Sequence, residues 1–234
     1  EITTRLVGSE MCIRDSVWFD PSHKNNFPEL KKLLKKEKGY TLEDRVKIIE
    51  IQREIIRKII PAYKKFLEEG RIEITTSPYY HPIVPILLDI KGIKKSNNDD
   101  LPSNLKMDLD AKMQSELALQ RIEMIFGRRP KGMWPSEHCV SSKELGMFSE
   151  LGVKWTISDE GILSNSINFE FVRDFKGYLE DPYHLLKSYN YKTKDSNIKI
   201  IFRDSVIPNL IGFEYPNHDP VAAANDLYDR IKVT

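Results

Sequence analysis

The chain has 234 residues, and its 36 basic and 35 acidic side chains leave a formal charge of +1, so nothing electrostatic points to nucleic acid or an anionic membrane. Hydrophobic residues make up 40% and charged residues 30%, an ordinary globular mix, and no apolar run approaches the ~18 residues of a membrane span. Two cysteines, Cys12 and Cys139, form neither a disulfide framework nor a CxxC metal pattern, and a free Cys139 weakly favours a reducing, cytoplasmic compartment.

The chain does not begin with Met, and residues 4–16 (TRLVGSEMCIRDS) show no hydrophobic period. They resemble a translated sequencing-adapter artefact, so residues 1–16, Cys12 included, are expected to be non-native and carry no fold argument. A short charged helix is expected over 29–36, its lysines (Lys31, Lys32, Lys35, Lys36) on a solvated face. A long helix opens at Thr41, where Thr41 and Asp44 read as a capping box. Leu42, Val46, Ile49, Ile56, Ile60, Tyr63 and Leu67 are its expected apolar face, Pro61 is expected to kink or split it, and Gly70 closes it. Residues 71–76 (RIEITT) read as a strand, 77–85 as a proline-rich loop and 97–103 (NNDDLPS) as a surface loop. A second amphipathic helix is expected over 106–126, with Gly127 as its C-cap. Then come a strand over 131–135, a helix capped by Ser141 or Ser142 and stopped at Gly152, and a strand over 153–157 (VKWTI). An irregular Tyr-rich stretch precedes a strand over 198–202 (IKIIF), and Asp219–Pro220 starts a last helix to about Lys232. Strand–helix alternation at this spacing implies parallel strands, hence an α/β sheet or barrel.

In parallel barrels chemistry gathers at the carboxyl ends of the strands. Each ionisable candidate falls at such an end. His81 follows 71–76, Glu137 follows 131–135, Asp159 and Glu160 follow 153–157, and Arg203 with Asp204 follows 198–202. The segment 132–141 (GMWPSEHCVS) is the most informative of these. It sets a carboxylate beside Trp134, and an aromatic face that stacks on a pyranose next to a carboxylate suits glycoside chemistry. Plainer roles stand beside the chemical ones. Glu137 could cap the following helix, His81 could bond a backbone carbonyl, and Asp159 and Glu160 could be helix-start residues. Arg203 and Asp204 could pair with each other at the rim. Trp134 suits a sugar platform or the core, and Trp155, mid-strand, suits the core. His138, Cys139, His81, His184 and His218 are too scattered for a zinc site.

Residues 75–87 (TTSPYYHPIVPIL), 132–141, 158–163 (SDEGIL) and 202–215 (FRDSVIPNLIGFEY), with 39–61, resemble the motifs of glycoside hydrolase family 57, in order and at family-like spacing from 17 to 232. The resemblance implies an incomplete TIM-like (β/α)7 barrel, of which residues 17–234 are a part truncated at both ends. It implies retaining action on α-glucans with Glu137 as nucleophile and His81 as a substrate-binding residue; Tyr80, Trp134, Asp159, Glu160, Arg203 and Asp204 are the other expected substrate-binding residues. No metal or organic cofactor is expected. The expected partner is an α-glucan or maltooligosaccharide, with no nucleic acid or membrane, and the oligomeric state is left open. The family's general acid, an Asp, belongs to a segment later than those given, so the 234-residue chain alone is expected to be inactive. His138 and Cys139 depart from the small residues common in the family after the nucleophile. Two alternatives remain: a metal-dependent polysaccharide deacetylase or α-mannosidase on a similar barrel, and a non-catalytic glucan-binding relative.

Overall fold

The computed structural model describes residues 19–20, 24, 26–36, 39–90, 106–192, 195 and 197–233. The segment expected to be non-native (1–16) and the loop expected at 97–103 lie outside the described residues. Two compact units divide the chain, Glu1–Glu73 and Ile74–Thr234. Among the described residues no helix is long and apolar enough to cross a membrane.

The first unit holds α1 (Pro28–Lys36) and α2 (Leu42–Glu68). The capping box at Thr41 forms as the sequence predicts. Asp44 N–H donates to Thr41 Oγ1 (3.2 Å) and Thr41 N–H donates to Asp44 Oδ2 (2.8 Å). Lys36 pairs with the same carboxylate and, with the backbone bond from Thr41, holds it below its ordinary range. Phe19, Leu30, Leu33, Ile48 and Ile51 form the core. The expected apolar stripe of α2 is therefore out of phase: Leu42, Val46, Ile56, Ile60 and Tyr63 are exposed, while Ile48 and Ile51 are buried. This helix carries apolar residues on more than one face, so period alone does not select the buried one. Pro61 does not split α2, which runs through it as one helix. A proline removes a single N–H from the ladder, and the bonds on either side persist.

The second unit is a mixed α/β structure. Its elements are α3 (Val84–Leu88), α4 (Asp108–Phe126), β1 (Gly132–Met133), α5 (Ser142–Glu150), β2 (Trp155–Asp159), α6 (Glu160–Ile167), β3 (Tyr189–Lys192), β4 (Asn197–Arg203) and α7 (Pro220–Val233). Irregular helical turns fill 207–217. The strands form one sheet in the order β1-β2-β4-β3. The first three are parallel, as alternation with helices predicts, but β3 runs antiparallel to β4. That strand lies in the stretch expected to be irregular, where Tyr189 and Tyr191 alternate with Asn190 and Lys192 over only four residues.

The strand expected over 71–76 is reduced to one parallel bridge, Thr76 to Met133. Its partner β1 is itself only two residues long, hemmed in by Pro130 and Pro135, which cannot donate to a ladder. Local signals otherwise hold. Gly127 caps α4 in the left-handed region (φ 74°), Ser141 caps α5, and Asp219 Oδ1 accepts from Val221 and Ala222 N–H at the start of α7.

Register sorts the two sheet faces. Met133, Thr156 and Ile200 align on the face covered by helices, where Val84, Leu88, Ala111, Leu119, Leu145, Phe148 and Ile198 pack as the core. Gly132, Trp155 and Lys199 align on the other face, as do Ile157 with Ile201 and Asp159 with Arg203. Gly132 is required there, because a Cβ would lie 2.4 Å from Trp155 Cε2. Trp155 thus packs, half-buried, against the backbone of β1.

Candidate active site

Two neighbouring chain segments deliver the central pair. Trp134 N–H donates to Thr76 O (2.8 Å), so the loop leaving Thr76 and the turn leaving β1 start side by side. The first carries Ser77 to His81 and the second carries Trp134 to His138. His81 Nε2 then sits 3.2 Å from Glu137 Oε1, across 56 residues of sequence. Glu137 keeps 68% of its side chain exposed, so its carboxylate remains open to a ligand.

The backbone here is held in an uncommon conformation. Four non-glycine residues among those described have positive φ, and three are His81 (56°), Glu137 (55°) and His138 (59°). Each such residue costs about 1–3 kcal/mol and persists only where its surroundings hold it, a condition met most often at functional sites. The holding bonds are short-range and specific. His138 N–H donates to Pro135 O (3.0 Å), Cys139 N–H to Ser136 O (3.1 Å) and His81 N–H to Pro78 O (2.8 Å). Buried Ser158 on β2 donates its hydroxyl to His138 O (2.8 Å). Glu137 therefore does not cap the next helix; Ser141 does, accepting from Glu144 N–H (3.2 Å).

Trp134, 38% exposed, lies between two imidazoles, with ring centroids 5.3 Å from His81 and 5.4 Å from His138. Tyr80 is 79% exposed and meets Tyr79 edge-on at 4.9 Å. Gln114 on α4 ties this loop down, its backbone carbonyl accepting from Tyr79 N–H and its side-chain oxygen from Tyr80 N–H.

The other expected residues divide into two groups. Asp159, register partner of Arg203, accepts from Arg203 Nε (3.2 Å) and also caps α6 through Gly161 N–H (2.9 Å). This pair acts on His138, which is pushed below its ordinary value by burial and then by Arg203, with Asp159 and Glu137 pulling the other way. Glu160 and Asp204 instead converge on Arg173. Arg173 Nη1 is 2.9 Å from Asp204 Oδ2, Nη2 contacts Glu160, and Glu160 Oε2 also accepts from Ser205 N–H (3.0 Å). All three side chains are nearly buried. The Arg203–Asp204 pair considered from sequence gives way to the cross-strand Asp159–Arg203 pair and to the contact of Asp204 with Arg173. Adjacent residues at a strand end project to opposite faces, which carries the two side chains apart.

Sequence reasoning missed Arg173, Ser158, Gln114 and Glu144. Nothing near Arg173 in the sequence marks it, since its partners lie 13 and 31 residues away. Glu144 is fully buried on α5, neither oxygen has a hydrogen-bond partner, and burial pushes its carboxyl up to about 8. Among the described residues no group of three or more His, Cys, Asp or Glu side chains converges as a metal ion needs.

The model for glycosyl hydrolase family 57 matches residues 18–234. No curated protein matches. Among solved structures, a family 57 branching enzyme from Thermococcus kodakaraensis is similar at 16% identity and a TM-score of 0.49, over 89% of this chain and 35% of that one. A 4-α-glucanotransferase from Thermococcus litoralis aligns at 16% identity and 0.45, over 71% and 22%. An α-amylase from Thermotoga maritima aligns at 15% and 0.44, over 85% and 31%. The chain thus spans between about a fifth and about a third of the length of these structures.

Proposed function

The chain belongs to glycosyl hydrolase family 57, and from that premise we propose that Glu137 is the nucleophile of a retaining enzyme that acts on α-1,4-linked glucans. The observation that carries this reading is the Glu137 carboxylate itself. It is held on a strained turn at a strand end, faces His81 at 3.2 Å, stays 68% exposed and stands three residues from an exposed Trp134.

The proposed chemistry is double displacement. Glu137 Oε2 attacks the anomeric carbon and forms a glycosyl ester. The glycosidic C–O bond breaks and the leaving oxygen takes a proton from a second carboxyl group. That group, now ionised, removes a proton from water or from a sugar hydroxyl, whose oxygen attacks the same carbon and releases Glu137. His81 donates to Glu137 Oε1 and borders the sugar. Trp134 and Tyr80 offer aromatic faces to it, while Asp159 with Arg203 shapes the rim beside His138. Glu160 and Asp204, through Arg173, hold the loops that carry that rim.

We assign the acid to an Asp in a later segment than those given. Retaining chemistry needs two carboxyl groups about 5–5.5 Å apart, and the family resemblance puts the second of them in that later segment. The 234-residue chain alone is then inactive, and residues 17–234 are part of an incomplete (β/α)7 barrel. Support for that architecture comes from the parallel β1, β2 and β4, whose carboxyl ends carry Glu137, Asp159 and Arg203.

The test uses the full-length gene product and a mechanism-based fluorosugar, followed by peptide mapping. Label on Glu137 supports the assignment; label on another carboxylate overturns it. Detectable maltooligosaccharide turnover by the purified 234-residue chain would overturn the placement of the acid.

A further inference from the structure

The His81 ring has a second contact that the chemistry above does not use. Its Nδ1 lies 3.4 Å from Ser77 Oγ, while Nε2 lies 3.2 Å from Glu137 Oε1. An ionised carboxylate only accepts hydrogen bonds, so Nε2 must carry the hydrogen. In the neutral ring Nδ1 then holds a lone pair, and the Ser77 hydroxyl is the donor that satisfies it. The partner of one imidazole nitrogen selects the protonation of the other.

Ser77 is itself fixed in place. Thr76 is bridged to β1 at Met133, Trp134 N–H donates to Thr76 O, and Thr76 Oγ1 donates to Ser77 O (3.1 Å). Four residues on, His81 is locked by its left-handed backbone and its bond to Pro78 O. Ser77 and His81 thus come from the two ends of one pinned loop, which leaves Thr76 beside the strand that delivers Glu137.

We propose that Ser77 is a positioning residue: its hydroxyl donates to His81 Nδ1 and keeps Nε2–H aimed at Glu137 Oε1. This rests on the reading of Glu137 as nucleophile. A donor on one carboxylate oxygen stops the group from rotating and leaves the other oxygen free toward the anomeric carbon. A neutral donor also stabilises the free carboxylate less than an imidazolium would, so the carboxylate keeps its reactivity. Without Ser77 the ring can turn over about its outer torsion and populate both tautomers.

The measurement is a 15N–1H multiple-bond correlation spectrum of the 234-residue chain with labelled histidine, recorded with the rings neutral. The wild-type His81 pattern is expected to be Nε2–H alone, the Ser77→Ala pattern a mixture, and Ser77→Thr, which keeps the hydroxyl, the wild-type pattern. In the full-length enzyme Ser77→Ala is expected to lower kcat roughly five- to tenfold, the kinetic equivalent of one ordinary hydrogen bond, with KM little changed and Ser77→Thr restoring it. A wild-type ring protonated on Nδ1 overturns the proposal, and so does a Ser77→Ala ring still wholly Nε2–H. The spectra need no substrate. Expected tautomers alongside fluorosugar label away from Glu137 would sink the nucleophile and leave the relay standing.

Discussion

Asp159 and Arg203 stand opposite each other on adjacent parallel strands, and their side chains close a 3.2 Å ion pair at the strand ends. Both are about one-third exposed, so solvent screening keeps the pair's contribution to stability small. Its consequence is the field at His138. Burial is the first cause of that ring's lowered pKa and Arg203 the second, opposed by Asp159 and Glu137. Arg203→Met is therefore expected to raise the His138 titration midpoint, and Asp159→Asn to lower it further. Histidine-selective NMR titration reads both, and equal midpoints in the two variants would leave burial as the sole cause.

Glu144 makes folding pH-dependent in a definite direction. Its folded carboxyl sits at about 8 against an ordinary 4.5, so from 4.5 upward the unfolded chain has released a proton that the folded chain retains. Its share of stability is fully present below 4.5 and is lost as the pH rises to about 8. The slope is about 1.4 kcal/mol per pH unit, on the order of 5 kcal/mol in all. Glu144→Gln should flatten the stability profile over that window in urea unfolding. An unchanged slope would show that the carboxyl ionises normally.

Arg173 pairs with two nearly buried carboxylates, Glu160 and Asp204. Removing one partner of a buried ion pair strands the remaining charge, which costs about 3–5 kcal/mol. Arg173→Met should show a loss of that size in denaturant unfolding at neutral pH, and adding Glu160→Gln and Asp204→Asn should recover much of it. A triple variant no more stable than Arg173→Met would indicate that the arginine acts through packing.

At Gly132 the close approach of Trp155 leaves no room for a methyl group. Gly132→Ala should displace the indole and destabilise the second unit by about 1–3 kcal/mol, the usual cost of overpacking. A shift in Trp fluorescence accompanying the lost stability would localise the strain, and wild-type stability would show that the strands slide apart without penalty.

Much was legible where the governing bonds are local. The caps at Thr41, Ser141 and Asp219 and the left-handed stop at Gly127 each depend on groups within a few residues, and each forms as read. Family membership was likewise carried by contiguous motifs. The strand at 189–192 was missed, since four residues of weak alternation become a strand only when β4 offers an edge. The stripe of α2 was read out of phase, since its burial was set by Phe19, Leu30 and Leu33 rather than by its own period.

The sequence by itself determined that Glu137 would end an apolar run beside Trp134, that strands would alternate with helices, and that helix ends would fall where their caps lie. Only the tertiary structure decided which side chains meet: His81 with Glu137, Arg203 with Asp159 and Arg173 with both Glu160 and Asp204. A cap is settled by torsions and hydrogen bonds inside one turn of chain. A cross-strand pair depends on register, where a slip of one residue sends every side chain to the opposite face, and register is set by the packing of the whole sheet.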